Sequence, residues 1–183
     1  MERINIVALS GSLRQASYNT AVITALKELA PENVDIVIYK GMGELPLFNP
    51  DIEGQAIPAF DDLRYILAES HGLIIASPEY AHGISGVMKN ALDWLVSGEE
   101  FVNMPVALIN TSPRASHAQN ALREVIKTMS GIIIEKASVS IQLLGSDFNA
   151  SDILREQKLS SLLKSSLDEF CKAIAEIKSK TQQ

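Results

Sequence analysis

The sequence predicts one α/β domain over residues 1–183, with a doubly wound, five-stranded parallel sheet in the order 2-1-3-4-5 and helices on both faces. Three observations lead there. Short β-branched apolar runs alternate with longer stretches of helical spacing, strand first. Strands of this kind, each followed by a helix, imply a parallel sheet covered on both sides. A chain of 183 residues, 46% hydrophobic and 21% charged, suits one globular domain that buries enough surface to fold without staples.

The elements follow in order. Ile4-Asn5-Ile6-Val7-Ala8-Leu9 is a strand that stops at Ser10-Gly11-Ser12. Residues 19–30 carry Val22, Ile23, Leu26 and Leu29 on one helical face, and Pro31 ends the pattern. Val34 to Tyr39 is the second strand, and residues 40–58, rich in Gly, Pro and Asn, form a long loop. Helical spacing resumes near Phe60 with Leu63, Ile66 and Leu67. Gly72-Leu73-Ile74-Ile75-Ala76 is the third strand, and residues 85–96 are helical. The fourth strand lies within 102–110, and residues 115–129 form the next helix. Ile132-Ile133-Ile134 competes with the alternating stretch 137–143 for the fifth strand. Residues 151–178 are a long amphipathic stretch whose pattern allows a break near Lys158.

Several function classes drop out early. With Cys171 alone, no intrachain disulfide exists, and this cysteine reads as a small packing residue. A net charge of −6 argues against a broad nucleic-acid surface but leaves room for a local basic spot. The start MERINIVALSGS lacks the long apolar core of a signal peptide, and no window approaches the ~20 apolar residues of a membrane span. The expected compartment is the cytoplasm, and no membrane or nucleic-acid partner is expected.

In the 2-1-3-4-5 order a ligand sits beyond the carboxyl ends of the strands, between the first and third. The loop after the first strand reads Ser10-Gly11-Ser12-Leu13-Arg14-Gln15-Ala16-Ser17-Tyr18-Asn19-Thr20. Free N–H groups and the positive dipole end of the following helix attract an anion there. Ser12, Ser17 and Thr20 offer hydroxyls, Asn19 an amide and Arg14 a charge-assisted contact. Taken singly, Ser17 or Asn19 is more often an N-cap than a ligand contact. As a cluster, the loop suits a phosphate monoester. It matches neither GxGxxG nor GxxxxGK[ST].

The loop after the third strand, Ser77-Pro78-Glu79-Tyr80-Ala81-His82-Gly83-Ile84-Ser85-Gly86, leaves the sheet at the same end. Its N–H groups and the Tyr80 ring suit a flat heterocycle, and Gly83 and Gly86 permit close backbone approach.

On these residues the chain resembles the NADPH-dependent FMN reductases, a family that includes quinone, chromate and azo-dye reductases. GSLRQASYN at 11–19 is similar to the family pattern GSLRxxSxN. SPEYAHGISGVMKNALDWL at 77–95 is similar to SPEYNxSxPGxLKNAxDW. The resemblance implies a flavodoxin-like fold and FMN as cofactor. It assigns the phosphate to Ser12, Arg14, Ser17 and Asn19, and the isoalloxazine to Pro78, Glu79, Tyr80 and the position of Ala81. It adds a third contact from Thr111-Ser112-Pro113-Arg114. With their loop neighbours Ser10, Tyr18, Thr20, His82 and Gly83, these form the candidate cofactor-binding set. Gly86, Lys89, Asn90, Asp93 and Trp94 look like structural parts of the motif. Three positions depart from the pattern: Ala81, Gly83 and Ser85 replace Asn, Ser and Pro, which leaves the loop less rigid.

The implied activity is two-electron, ping-pong transfer of hydride from NADPH or NADH through FMN to quinones, flavins or azo compounds. The flavin carries the chemistry, so no side chain is assigned as catalytic. A homodimer or homotetramer is implied as well. An electron carrier without its own substrate, and a regulatory protein that binds FMN or has lost it, remain as rivals. Metal and nucleophilic catalysis are set aside. His71, His82 and His117 are widely spaced, and no GxSxG elbow is present. Glu79 reads as an anchor for its loop more than a general base. Asp61-Asp62 and Glu99-Glu100 read as helix-start or solvated charges.

Overall fold

A computed structural model of the protein describes residues 3–114 and 116–181. The main sheet is built from β1 (Ile4–Ser10), β2 (Val34–Ile38), β3 (Gly72–Ala76) and β6 (Pro105–Asn110), with β7 (Ile132–Ile133) and β8 (Val139–Ser140) at its edge. The strands lie in the order β2-β1-β3-β6-β7, all parallel, and β8 also pairs with β6. The predicted doubly wound order is therefore present. A two-stranded hairpin of β4 (Glu79–Tyr80) and β5 (Gly83–Ile84) stands apart from this sheet.

Successive strand residues point to opposite faces, and in this sheet both faces are covered. Val7, Leu9, Leu73, Ile75, Val106 and Leu108 pack on one side. They meet Leu63 and Leu67 of α2 (Pro58–Ala68), Leu92 and Trp94 of α3 (Gly86–Leu95), and Leu122 and Ile126 of α4 (Ser116–Thr128). Ile6, Ala8, Ile36, Ile74, Ala76, Ala107 and Ile109 pack on the other side. There they meet Val22, Ile23 and Leu26 of α1 (Tyr18–Leu29) and Leu163, Leu167, Phe170 and Ile174 of α6 (Gln157–Thr181). Among the described residues no helix is long and apolar enough to cross a membrane.

Two ambiguities of the sequence resolve in an instructive way. Both candidates for the fifth strand are used. Ile132 and Ile133 pair with the start of β6, and Val139 and Ser140 pair with its end. Between them a 3-10 turn, Glu135–Ala137, breaks the ladder, and the Ser138 hydroxyl fills the gap. It accepts from Leu108 N–H at 3.0 Å and donates to the Ile134 carbonyl at 3.0 Å. The late helical stretch breaks at Glu156, two positions before Lys158. The short helix α5 (Ala150–Arg155) begins in a capping box of Asn149 and Asp152, and Glu156 ends it in an extended conformation.

Motif residues 90 and 94 have structural duties, as the sequence suggested. Asn90 accepts from Phe48 N–H at 2.8 Å and donates to the Pro46 carbonyl at 2.9 Å. Trp94, buried between Phe48 and Phe60, donates its indole N–H to the same carbonyl at 2.8 Å. Lys89 and Asp93 pair across one helical turn. Glu100 departs from its reading as a solvated charge. Its side chain is 13% exposed and pairs with Arg64 at 2.6 Å, a contact between α2 and the loop after α3 that sequence distance hides. Burial pushes the half-buried Cys171 thiol up to about 11, which keeps it protonated and suits a packing role.

Candidate functional site

Three loops meet at the carboxyl ends of β1, β3 and β6. Each is pinned to a neighbour. The Gly11 N–H donates to the Ala76 carbonyl at 2.8 Å, joining the first loop to the end of β3. The Thr111 hydroxyl donates to Asn19 Oδ1 at 3.2 Å, joining the third loop to the first. The Leu143 N–H donates to the Thr111 carbonyl at 3.1 Å, which brings the segment after β8 against the third loop. Gly11 is required for the first of these contacts. A Cβ there would lie 2.5 Å from Ser77 Oγ and 2.8 Å from Ser85 Oγ, inside any normal contact distance.

The convergence leaves a cavity of about 280 Å³. Of the predicted residues, Ser12, Arg14, Ser17, Tyr18 and Asn19 line it from the first loop. Pro78, Glu79 and Tyr80 line it from the second, and Thr111, Ser112 and Arg114 from the third. Ser10, Thr20, Ala81, His82 and Gly83 do not line it. Ser10 and Thr20 bond each other through their hydroxyls at 2.8 Å and brace the loop from behind. Three lining residues were not singled out from the sequence: Ser77, Asn110 and Leu144. Ser77 and Asn110 end their strands or follow them, a position that marks the ligand side of this topology. Leu144 carried no local signal.

The chemistry of the lining is that of an anion site. Ser17 caps α1, accepting from Thr20 N–H at 3.3 Å, and the helix start behind it adds N–H groups and the positive dipole end. Asn19 is not a cap; it is buried and crosslinks two loops. Arg14 and Arg114 are exposed, and neither forms an ion pair with a described residue. Glu79 is the one carboxylate among the lining residues, and both its oxygens are engaged. Oε1 lies 3.1 Å from His82 Nδ1, and Oε2 accepts from Ala118 N–H at 2.8 Å, in the first turn of α4. The Ala118 N–H does most to hold this carboxyl below the usual range. Partial burial opposes it, and His82 and His117 lower it further. Two guanidinium groups and a helix start thus gather at one cavity on a protein of net charge −6.

The second loop is a tight hairpin, more ordered than its glycines suggested. Glu79 pairs with Ile84 and Tyr80 with Gly83, and the two residues between have positive φ: 49° at Ala81 and 59° at His82. This is the geometry of a type I′ turn, which favours Asn, Asp and Gly. Left-handed backbone costs about 1–2 kcal/mol per ordinary residue. Gly83 is paired in β5, and a Cβ there would meet only the Tyr80 carbonyl at 3.6 Å. Ser85 caps α3 through Met88 N–H at 3.4 Å. His82 and His117, far apart in sequence, sit ring edge to ring face with centroids 4.6 Å apart.

A larger hollow of about 860 Å³ opens at the amino ends of β3 and β6, between Arg64, Glu100 and the end of α6. It lies at the end of the sheet opposite the three loops.

Residues 4–143 match the sequence profile of the NADPH-dependent FMN reductases. The chain belongs to that family. Membership makes the protein an FMN-dependent oxidoreductase with NAD(P)H as electron donor. An NAD(P)H-dependent FMN reductase of Pseudomonas aeruginosa is 30% identical over 170 residues, covering 90% of this chain and 91% of the relative. A quinone reductase of Escherichia coli is 29% identical over 143 residues, covering 74% and 76%. In three dimensions the chain is similar to FerB, a flavoenzyme NAD(P)H:(acceptor) oxidoreductase from Paracoccus denitrificans, at a TM-score of 0.84 and 24% identity over 94% of this chain and 98% of that one.

The donor set fits FMN. A phosphate dianion requires hydroxyl, N–H and guanidinium donors without a free carboxylate, and the lining of the first loop supplies them. Tyr80, 53% exposed, adds an aromatic residue to the lining of the same cavity.

Proposed function

We propose that the three-loop cavity seats FMN and that the protein, a single domain in the cytoplasm, reduces quinones and similar small acceptors at the expense of NAD(P)H, as a homodimer or homotetramer. The observation that carries this reading is the convergence of Ser12, Arg14, Ser17, Tyr80, Thr111 and Arg114 on one cavity whose one carboxylate is fully occupied.

Ser12, Arg14, Ser17 and the first N–H groups of α1 bind the phosphate. Asn19, bonded to Thr111, keeps the first and third loops in register beside it. Pro78 and Tyr80 border the isoalloxazine. Bound FMN supplies the two-electron carrier that accepts and returns hydride. No protein acid or base is needed for that transfer. Ser112 and Arg114 form the rim where donor and acceptor enter in turn, and Arg114, without an ion pair among the described residues, attracts their anionic groups.

The test is a visible spectrum of the purified protein, followed by anaerobic mixing with NADPH or NADH and then a quinone. Bleaching by the nicotinamide and recovery on quinone addition, with turnover in the steady state, are expected. A protein that binds no FMN at micromolar concentration would overturn the assignment. One that binds FMN but is not reduced by either nicotinamide would instead be an electron carrier.

A further inference from the structure

We propose that Glu79 is a positioning residue: its carboxylate locks the β4–β5 hairpin onto α4 in the left-handed form that presents Tyr80 to the cofactor cavity. The inference rests on the reading that this cavity seats FMN, and it gives the Glu79 side chain a role other than contact with the flavin. Both carboxylate oxygens are committed elsewhere, to His82 Nδ1 at 3.1 Å and to Ala118 N–H at 2.8 Å.

The hairpin requires such a lock. Its ladder comprises two residue pairs, Glu79 with Ile84 and Tyr80 with Gly83, and a ladder that short is marginal by itself. Its turn places Ala81 and His82 in the left-handed region, which an alanine seldom adopts. Strain of this kind persists only where the surroundings over-determine it. Here the surroundings are three linked contacts. The carboxylate, 13% exposed, reaches the first turn of α4, where a negative charge is favoured. The His82 ring, 78% exposed, is held to the same carboxylate. The far side of that ring meets His117, also in the first turn of α4. One side chain thus joins the hairpin base, the hairpin tip and the helix. Tyr80, which lines the cavity, lies between the base and the tip.

The proposal predicts a specific pattern among variants. Glu79→Ala removes both bonds. Glu79→Gln keeps an acceptor for Ala118 N–H and offers His82 an amide N–H, which the imidazole accepts at Nδ1 in its other tautomer, and so keeps the connections without the charge. Ala81→Gly removes the turn strain, since glycine takes positive φ freely. In FMN-free protein, amide hydrogen exchange of residues 80–84 is expected to speed up by at least about tenfold in Glu79→Ala and by less than about threefold in Glu79→Gln, with β1, β3 and β6 unaffected. FMN affinity is expected to fall by at least about tenfold in Glu79→Ala and to recover by several-fold in the Glu79→Ala/Ala81→Gly double variant. That recovery separates a positioning role from general destabilisation, because relieving strain at the tip would not repair damage elsewhere. The double variant also serves if Glu79→Ala folds poorly. Wild-type exchange at 80–84 in Glu79→Ala, or no recovery with Ala81→Gly, would overturn the proposal. Failure of the wild type to bind FMN would remove the proposed function, whereas the exchange measurements would still decide whether Glu79 locks the hairpin.

Discussion

Replacing Gly11 with alanine adds one methyl group where the first loop touches the second. The added Cβ would lie 2.5 Å from Ser77 Oγ, 2.8 Å from Ser85 Oγ and 2.9 Å from Ser77 Cβ. A hydroxyl can rotate away, but Ser77 Cβ cannot, and 2.9 Å is about 0.5 Å inside ordinary van der Waals contact at 3.4 Å. Ser85 is also constrained, because its hydroxyl caps α3. Nor can the Gly11 backbone retreat freely, since its N–H is bonded to Ala76 at 2.8 Å. Overpacking of this kind costs about 1–3 kcal/mol. In a domain of this size each kcal/mol lowers Tm by about 2–4 °C, so a fall of about 2–12 °C is expected. The displaced loop carries Ser12 and Arg14, and a site needs placement within about 0.5 Å, so FMN affinity is expected to fall by about 10- to 100-fold. Thermal melts and flavin fluorescence titration measure the two effects. The pair Gly11→Ala/Ser77→Gly removes both Ser77 contacts and is expected to regain part of each loss. Wild-type Tm and FMN affinity in Gly11→Ala would refute the steric argument.

Arg14→Ala with Ser17→Ala is expected to weaken FMN binding by at least about tenfold, as a charge-assisted bond contributes about 1.5–3 kcal/mol; equilibrium titration that returned wild-type affinity would dismiss the phosphate assignment. Ser17→Ala alone is also expected to lower stability by about 1 kcal/mol through loss of the α1 cap, seen as a lower Tm. Ala81→Asn places a residue tolerant of left-handed backbone at φ 49°, and a gain in stability of a few tenths of a kcal/mol with tighter FMN binding is expected from the same two assays. Two groups give pH effects of opposite sign. Tyr39, buried beneath α2 and donating to the Ala59 carbonyl at 2.6 Å, is pushed up to about 12, first by burial and then by Asp62 and Glu44. Its contribution to stability is complete below its ordinary value near 10 and is lost as pH rises through 12, which denaturant melts combined with absorbance titration at alkaline pH can follow. Glu79 has the opposite sign: its lowered carboxyl supports hairpin docking above the usual carboxylate range and loses that support as pH falls through the depressed value, readable as faster hairpin exchange in acid.

The part of the cavity lined by the first loop was largely legible in the chain. A cluster of hydroxyls, an amide and an arginine between a strand and a helix constrains its own location, because strand end and helix start are both local features. Even so, the roles within the cluster were not all visible. Ser17 caps the helix as its residue type suggested, but Asn19 bonds Thr111 of a loop far away in sequence, and Ser10 and Thr20 bond each other. The hairpin was less legible. Ala81 and His82 have no strong turn preference, so nothing local announced a type I′ turn, and the glycines drew attention to positions that the ladder holds in place.

Local pattern was enough to predict the parallel sheet, its strand order, the helices on both faces and the end of the sheet at which the three loops converge, because burial on two faces leaves a periodic record in every element. Tertiary structure alone decided how the fifth strand is shared between Ile132–Ile133 and Val139–Ser140, where Glu100 finds Arg64, and how Glu79 joins His82 to α4. Each of these depends on a partner that chain folding brings close, and hydrogen bonds and ion pairs between distant residues leave no period to read.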